Sequence, residues 1–151
     1  MNRVYNNEAI IMVCIVHLLK KKEMSIALSY LFSTLLIDGQ LGKIIQMSAD
    51  FEKLSNSIKN QGSGLLSRKL ISFGPYFMNA VVILKQSNII TFSDGVLRLI
   101  DQTFPDDGLG SKRLGRILKN ADILFEMCKY LSTKELSLIH ISEPTRRTPI
   151  S

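Results

Sequence analysis

Apolar residues run almost unbroken from Ala9 to Leu19, interrupted only by His17, and again from Met24 to Ile37. The first run predicts a largely buried helix, capped by Asn7 with Glu8 in its first turn. It should end near Lys20, where Lys20, Lys21 and Lys22 suit the negative end of the helix dipole. The second run carries only Ser25, Ser29, Ser33 and Thr34 among its apolar positions. A helix apolar nearly all round belongs at the centre of a bundle, here from Ser25 to Ile37 with a stop at Asp38-Gly39. Residues Gly42 to Met47 read as a short connection. Ser48 reads as the cap of SADFEKLSNSIKN, in which Phe51, Leu54 and Ile58 recur on one helical face. The segment QGSG, Gln61 to Gly64, breaks the chain again.

The hydrophobic period then changes. LLSRKLISFGPYFMNAVVILKQ predicts a helix from Leu65 that is interrupted at Gly74-Pro75 and restarts with the proline in a first turn. Beyond it the pattern is that of strands. Ile89 to Phe92 and Val96 to Ile100 flank Ser93-Asp94-Gly95, and Asp-Gly supplies the positive φ that a tight hairpin needs. A lone hairpin is marginal in water, so this one must lie against the helices. After the loop DQTFPDDGLG, the segments SKRLGRILKN and ADILFEMCKYL predict two short helices, capped by Ser111 and Asn120. Leu114, Ile117 and Leu118 face inward on the first, with Lys112, Arg113, Arg116 and Lys119 opposite. The fold class is α+β, mostly α: one compact helical domain over residues 1–135, with a small β-hairpin in a winged-helix-like arrangement.

The closing stretch LSLIHISEPTR, residues 136 to 146, has a different composition from what precedes it. It resembles the translation of a transposase end and adaptor used to build DNA sequencing libraries. Residues 136–151 are therefore expected to be an artefactual tail, disordered and packed on no core, with the natural C-terminal residues missing. Excluding it leaves His17 as the one histidine available for acid–base or metal chemistry.

The remaining length suits a single core. The formal net charge is +6, of which Arg146 and Arg147 against Glu143 contribute one. A moderate, dispersed positive charge permits nucleic-acid binding without demanding it. Cys14 and Cys128 are isolated thiols at spacings of neither a disulfide framework nor a zinc site, which fits a reducing cytoplasm. Both apolar runs fall well short of the roughly 20 residues needed to span a bilayer. No membrane association is expected, and Glu8, His17 and the three lysines argue against a signal peptide.

For catalysis, His17 has no carboxylate three or four residues away, and no nucleophile stands out. GSGLLSRK lacks the spacing of a phosphate loop, and Asp106-Asp107-Gly108 lacks the alternating ligands of a calcium loop. The latter reads as a solvated turn. No catalytic, cofactor or metal site is expected, and the protein is not read as an enzyme. A helix feeding a two-stranded wing is how winged-helix domains end, with the helix in a DNA groove and the wing on flanking phosphates. Such a helix needs several basic or amide contacts, yet Lys85 is the one cation between Pro75 and Asn88. A winged-helix-like shape without base readout fits better.

The order of segments is similar to the middle components of bacterial three-component ABC systems. The resemblance rests on Tyr5-Asn6-Asn7 before EAIIMVCIVHLL, the apolar SIALSYLFSTLLI, the arginine-bearing LLSRKLISF with Arg68, the helix and hairpin of PYFMNAVVILKQSNIITFSDGVLRLI, and the closing KRLGRILKNADILFEMC. It covers nearly all of residues 5 to 130. It implies a non-enzymatic adaptor between an ABC-type ATPase and a third, effector protein, in a system of defence against phage or other foreign DNA. Phe92, Lys112, Arg113 and Arg116 are the partner contacts expected on that reading, with weak or indirect DNA contact left open. The alternative is a winged-helix DNA-binding transcriptional regulator.

Overall fold

The computed structural model describes residues 3–62, 64–107 and 110–129, with side chains from residue 7 onward. The tail at 136–151, expected to be foreign and disordered, lies outside the described residues. In chain order the elements are α1 (Arg3–Lys21), β1 (Met24–Ser25), α2 (Ile26–Ile37), α3 (Gly39–Met47), α4 (Phe51–Asn60), α5 (Leu65–Gln86), β2 (Ile90–Ser93), β3 (Val96–Leu99) and α6 (Lys112–Cys128). The fold is α+β and mostly α, as its hydrophobic pattern implies. No helix among the described residues is long and apolar enough to cross a membrane.

The near-uniform apolarity of α2 is explained by its position. It packs against α1, α3, α5 and α6, and Leu31, Phe32, Leu35 and Leu36 are all buried. Asp38 closes it and opens the next helix: its backbone N–H donates to the Thr34 carbonyl, while its carboxylate accepts from Leu41 N at 3.0 Å. The stretch read as a connection, Gly42 to Met47, therefore lies within α3. Gly39 and Gly42 obscured a helical row of Leu41, Ile44 and Ile45, all buried. Ser48 ends α3, its hydroxyl donating to the Ile44 carbonyl at 2.6 Å, and the cap of α4 is Asp50, which accepts from Lys53 N at 2.9 Å.

Three further expectations are corrected. Helix α1 begins at Arg3, so Asn7 lies inside it; the Asn7 side chain accepts from Arg113 at 2.9 Å instead of capping. Helix α5 runs unbroken through Gly74-Pro75. Proline costs an isolated helix roughly 3 kcal/mol, but here buried rows on both sides of it, Leu66 and Leu70 before, Phe77 and Leu84 after, hold both halves on one core. Tyr30 of α2 supports the same turn, donating its hydroxyl to the Leu70 carbonyl and stacking on Phe77 with centroids 5.2 Å apart. Helix α6 is likewise continuous. Ser111 caps it, accepting from Leu114 N at 3.1 Å, whereas Asn120 sits buried in its middle.

The hairpin forms where expected, with Asp94 at φ 54° and Gly95 at φ 75°, the two positive values that a two-residue primed turn requires. A third strand joins it. Met24 and Ser25, the latter the expected start of the second helix, form β1 and pair antiparallel with Leu97 and Val96, giving the order β1-β3-β2. Ser25 still serves α2, as its N-cap, accepting from Leu28 N at 3.0 Å. Through β1 and the buried Ile90 and Leu97, the wing is fixed to the α1–α2 junction.

Candidate interaction surfaces

Helix α5 leads directly into the hairpin, and is the helix that a winged-helix reading would place in a DNA groove. One side of it is spent on the core: Leu66, Leu70, Phe77, Ala80, Val81 and Leu84 are buried. The opposite side stays apolar. Ile71 is 73% exposed, Tyr76 59%, Met78 46% and Val82 43%. With Pro75, the residues Ile71, Met78 and Val82 recur at intervals of four, three and four, which aligns them along one helical face. Scattered exposed hydrophobics are ordinary; a contiguous row is the mark of an interaction site. Along this row the cations stand at its two ends, Arg68 and Lys85, while the third cation of α5, Lys69, pairs with Asp38 at 3.0 Å. Asn79, midway along, is engaged by the Glu8 carboxylate of α1, which adds negative charge where DNA would need positive.

Phe92 lies on the exposed face of β2, 38% accessible. Lys112, Arg113 and Arg116 lie exposed on the first two turns of α6. These expected contacts belong to different parts of the molecule: β2 packs on β3 and α5, whereas α6 packs on α1, α2 and α3. The exposed row on α5 was missed, because it reads from sequence as more core. Only the knowledge that the other side of α5 already fills the interior reveals it as surplus.

A polar cluster was missed as well. His17 Nδ1 lies 2.9 Å from Asp106 Oδ2, and Nε2 lies 3.1 Å from Asp122 Oδ1. Lys20 donates to Asp106 Oδ1 and to the Phe104 carbonyl, each at 2.9 Å, and Lys21 Nζ lies 2.7 Å from Asp122 Oδ1. Carboxylates only accept, so both His17 bonds form together only with the doubly protonated ring. Burial pushes the Asp106 carboxyl up, but the hydrogen bonds and charges of Lys20 and His17 outweigh it and hold it below its usual value. The hydrogen bond from Lys21 lowers Asp122 most; burial opposes, and His17 adds to the lowering. The Asp106 turn is thus strapped to α1 and not simply solvated. Its partners His17 and Lys20 stand 89 and 86 residues from it in the chain, and the His17–Asp122 pair 105 apart, beyond the reach of any local motif.

Neither thiol is activated: burial raises Cys14 and Cys128 to about 12 each. Among the described residues no group of three or more His, Cys, Asp and Glu is placed to hold a metal ion. No family model, curated protein or solved structure matches this chain.

Proposed function

We propose that the protein is a non-enzymatic adaptor, the middle component that links an ABC-type ATPase to an effector protein in a bacterial defence system. The observation that supports this reading is the exposed apolar row of α5. Protein interfaces are built around apolar and aromatic anchors with a polar rim, and Ile71, Tyr76, Met78 and Val82 between Arg68 and Lys85 have that composition. A DNA-reading helix in the same place would carry several arginine, lysine, asparagine or glutamine side chains along its middle, whereas Asn79 alone stands there and is engaged by Glu8. The basic residues Lys112, Arg113 and Arg116 and the exposed Phe92 then serve as secondary contacts for different regions of the partners.

The test is co-expression with an ABC-type ATPase encoded beside it, followed by size-exclusion chromatography. Co-elution in a fixed ratio, unchanged by nuclease treatment, is the expected result. If no complex forms while a short duplex is bound sequence-specifically, with affinity falling by close to one log unit per log unit of salt for each phosphate neutralised, the protein is a winged-helix regulator instead.

A further inference from the structure

Between α3 and the N-terminal half of α6 lies a cleft of about 510 Å³, within the roughly 300–1,000 Å³ usual for small-molecule sites. Ile37 and Ile117 give it apolar wall, and Lys43, Arg113 and Arg116 line it with positive charge. Asp38 is the one acid in the lining among the described residues, and it is already engaged by Lys69 at 3.0 Å and by the Leu41 N–H at 3.0 Å. Lys43 and Arg116 have no carboxylate partner among the described residues. Arg113 spends one nitrogen on Asn7 and keeps its other donors. The first turn of α6 has no acidic residue, so Lys112 and Arg113 add their charge to the positive end of the helix dipole. Such a concentration of unmatched cation is relieved by an anion.

Asn120 adds a second, independent feature. It lines the same cleft, yet only 4% of it is exposed. Its Nδ2 donates to the Gly42 carbonyl at 3.4 Å, which fixes the amide orientation, since the reverse would set two oxygens against each other. Oδ1 is then a buried acceptor with no hydrogen-bond partner among the described residues. Buried acceptors are rarely left so, and one that lines a cleft is a natural place for a ligand's donor. Gly42 allows this approach: a Cβ there would meet Asn120 Nδ2 at 3.4 Å.

We infer that this cleft binds a small anionic molecule that also presents an N–H donor, its phosphate or carboxylate on Arg113, Arg116 and Lys43 and its donor on Asn120 Oδ1. The planar fork of arginine matches both anions, phosphate especially. A nucleoside monophosphate combines the two groups and is the probe of choice. Among the described residues, none that lines this cleft lies on α5, so its failure in the isolated protein would leave the adaptor reading untouched.

The experiment is isothermal titration and thermal melting of the full chain with adenosine and cytidine monophosphates, with inorganic phosphate and the free nucleosides as the separate halves. At least one monophosphate is expected to bind with Kd below about 1 mM, saturably raising the melting temperature, and about tenfold or more tighter than either half. Arg116→Ala should weaken it about tenfold or more, and Lys119→Ala, on the same helix outside the cleft, should leave it unchanged. Asn120→Leu should weaken the nucleotide but not phosphate; if that variant fails to fold, the Arg116 and Lys119 comparison still decides. The inference is overturned if no probe shifts the melting temperature by about 1 °C at several millimolar, or if Lys119→Ala weakens binding as much as Arg116→Ala.

Discussion

Replacing Asp106 with alanine removes the acceptor that holds the 101–107 segment to α1. Two contacts go at once, those with His17 and Lys20, each at 2.9 Å. Asp106 and Lys20 are each 25% exposed at the side chain and His17 only 16%, so water restores part of what is lost but not all of it. Fully exposed pairs contribute about 0–1 kcal/mol, whereas hydrogen bonds to charged groups contribute about 1.5–3 kcal/mol when sheltered. The expected cost is intermediate, about 1–2 kcal/mol, or a fall in melting temperature of roughly 3–8 °C for a domain of this size. Asp122→Ala is the control, because Asp122 is 58% exposed and its loss should cost under about 1 kcal/mol. The pH dependence has a definite sign. Both carboxyls lie below their ordinary value of 3.8 in the folded chain. Their contribution is therefore fully present above that value and is lost as pH falls through the lowered folded-state values. Thermal melts of the three proteins at pH 7, with acid titrations followed by circular dichroism, make the comparison. Equal melting temperatures for wild type and Asp106→Ala, or an equal cost for Asp122→Ala, would refute the strap.

Other substitutions probe the fold. Gly74→Ala places a Cβ 3.0 Å from the Tyr30 hydroxyl, and should cost more in chemical denaturation than Tyr30→Phe, which gives up one hydrogen bond of about 0.5–1.5 kcal/mol. Leu97 is fully buried where β3 pairs with both other strands, so Leu97→Ala should lose about 2–5 kcal/mol in the same assay. Cys14 is fully buried and its thiol raised to about 12; mass spectrometry should find it unalkylated by iodoacetamide in native protein and modified after unfolding.

What the sequence disclosed and what it hid follow from the range of the interactions involved. The Asp94-Gly95 turn is legible because its requirement, two positive φ values, is local and met by residue type. The inward face of α6 is legible because Leu114, Ile117 and Leu118 repeat at the helical period. Helix α3 was passed over because two glycines weakened a nine-residue signal whose stability comes from burial. The passage of α5 through Pro75 depends on tertiary packing that local propensity does not contain. A two-residue strand such as β1 has no period at all, and its pairing is chosen by the hairpin it meets some 70 residues later. The candidate surfaces divide in the same way. The exposure of Phe92 and of Lys112, Arg113 and Arg116 could be anticipated from pattern, whereas the surplus row on α5 and the unpaired Asn120 acceptor emerge only once the core is assembled.

The central claim is that the outward face of α5 docks a protein, and an affinity comparison on two surface variants tests it most directly. Met78→Glu with Val82→Glu places charge in the apolar row at residues 46% and 43% exposed, where the fold should tolerate it. Lys112→Ala with Arg116→Ala alters the α6 face alone. Binding of each to the ATPase partner would be measured by surface plasmon resonance, after circular dichroism establishes that both variants are folded. The expected result is a loss of about 30-fold or more for the α5 variant, the effect of removing a central anchor, with a smaller loss, mainly in association rate, for the α6 variant. Undiminished affinity of the folded α5 variant would contradict the claim.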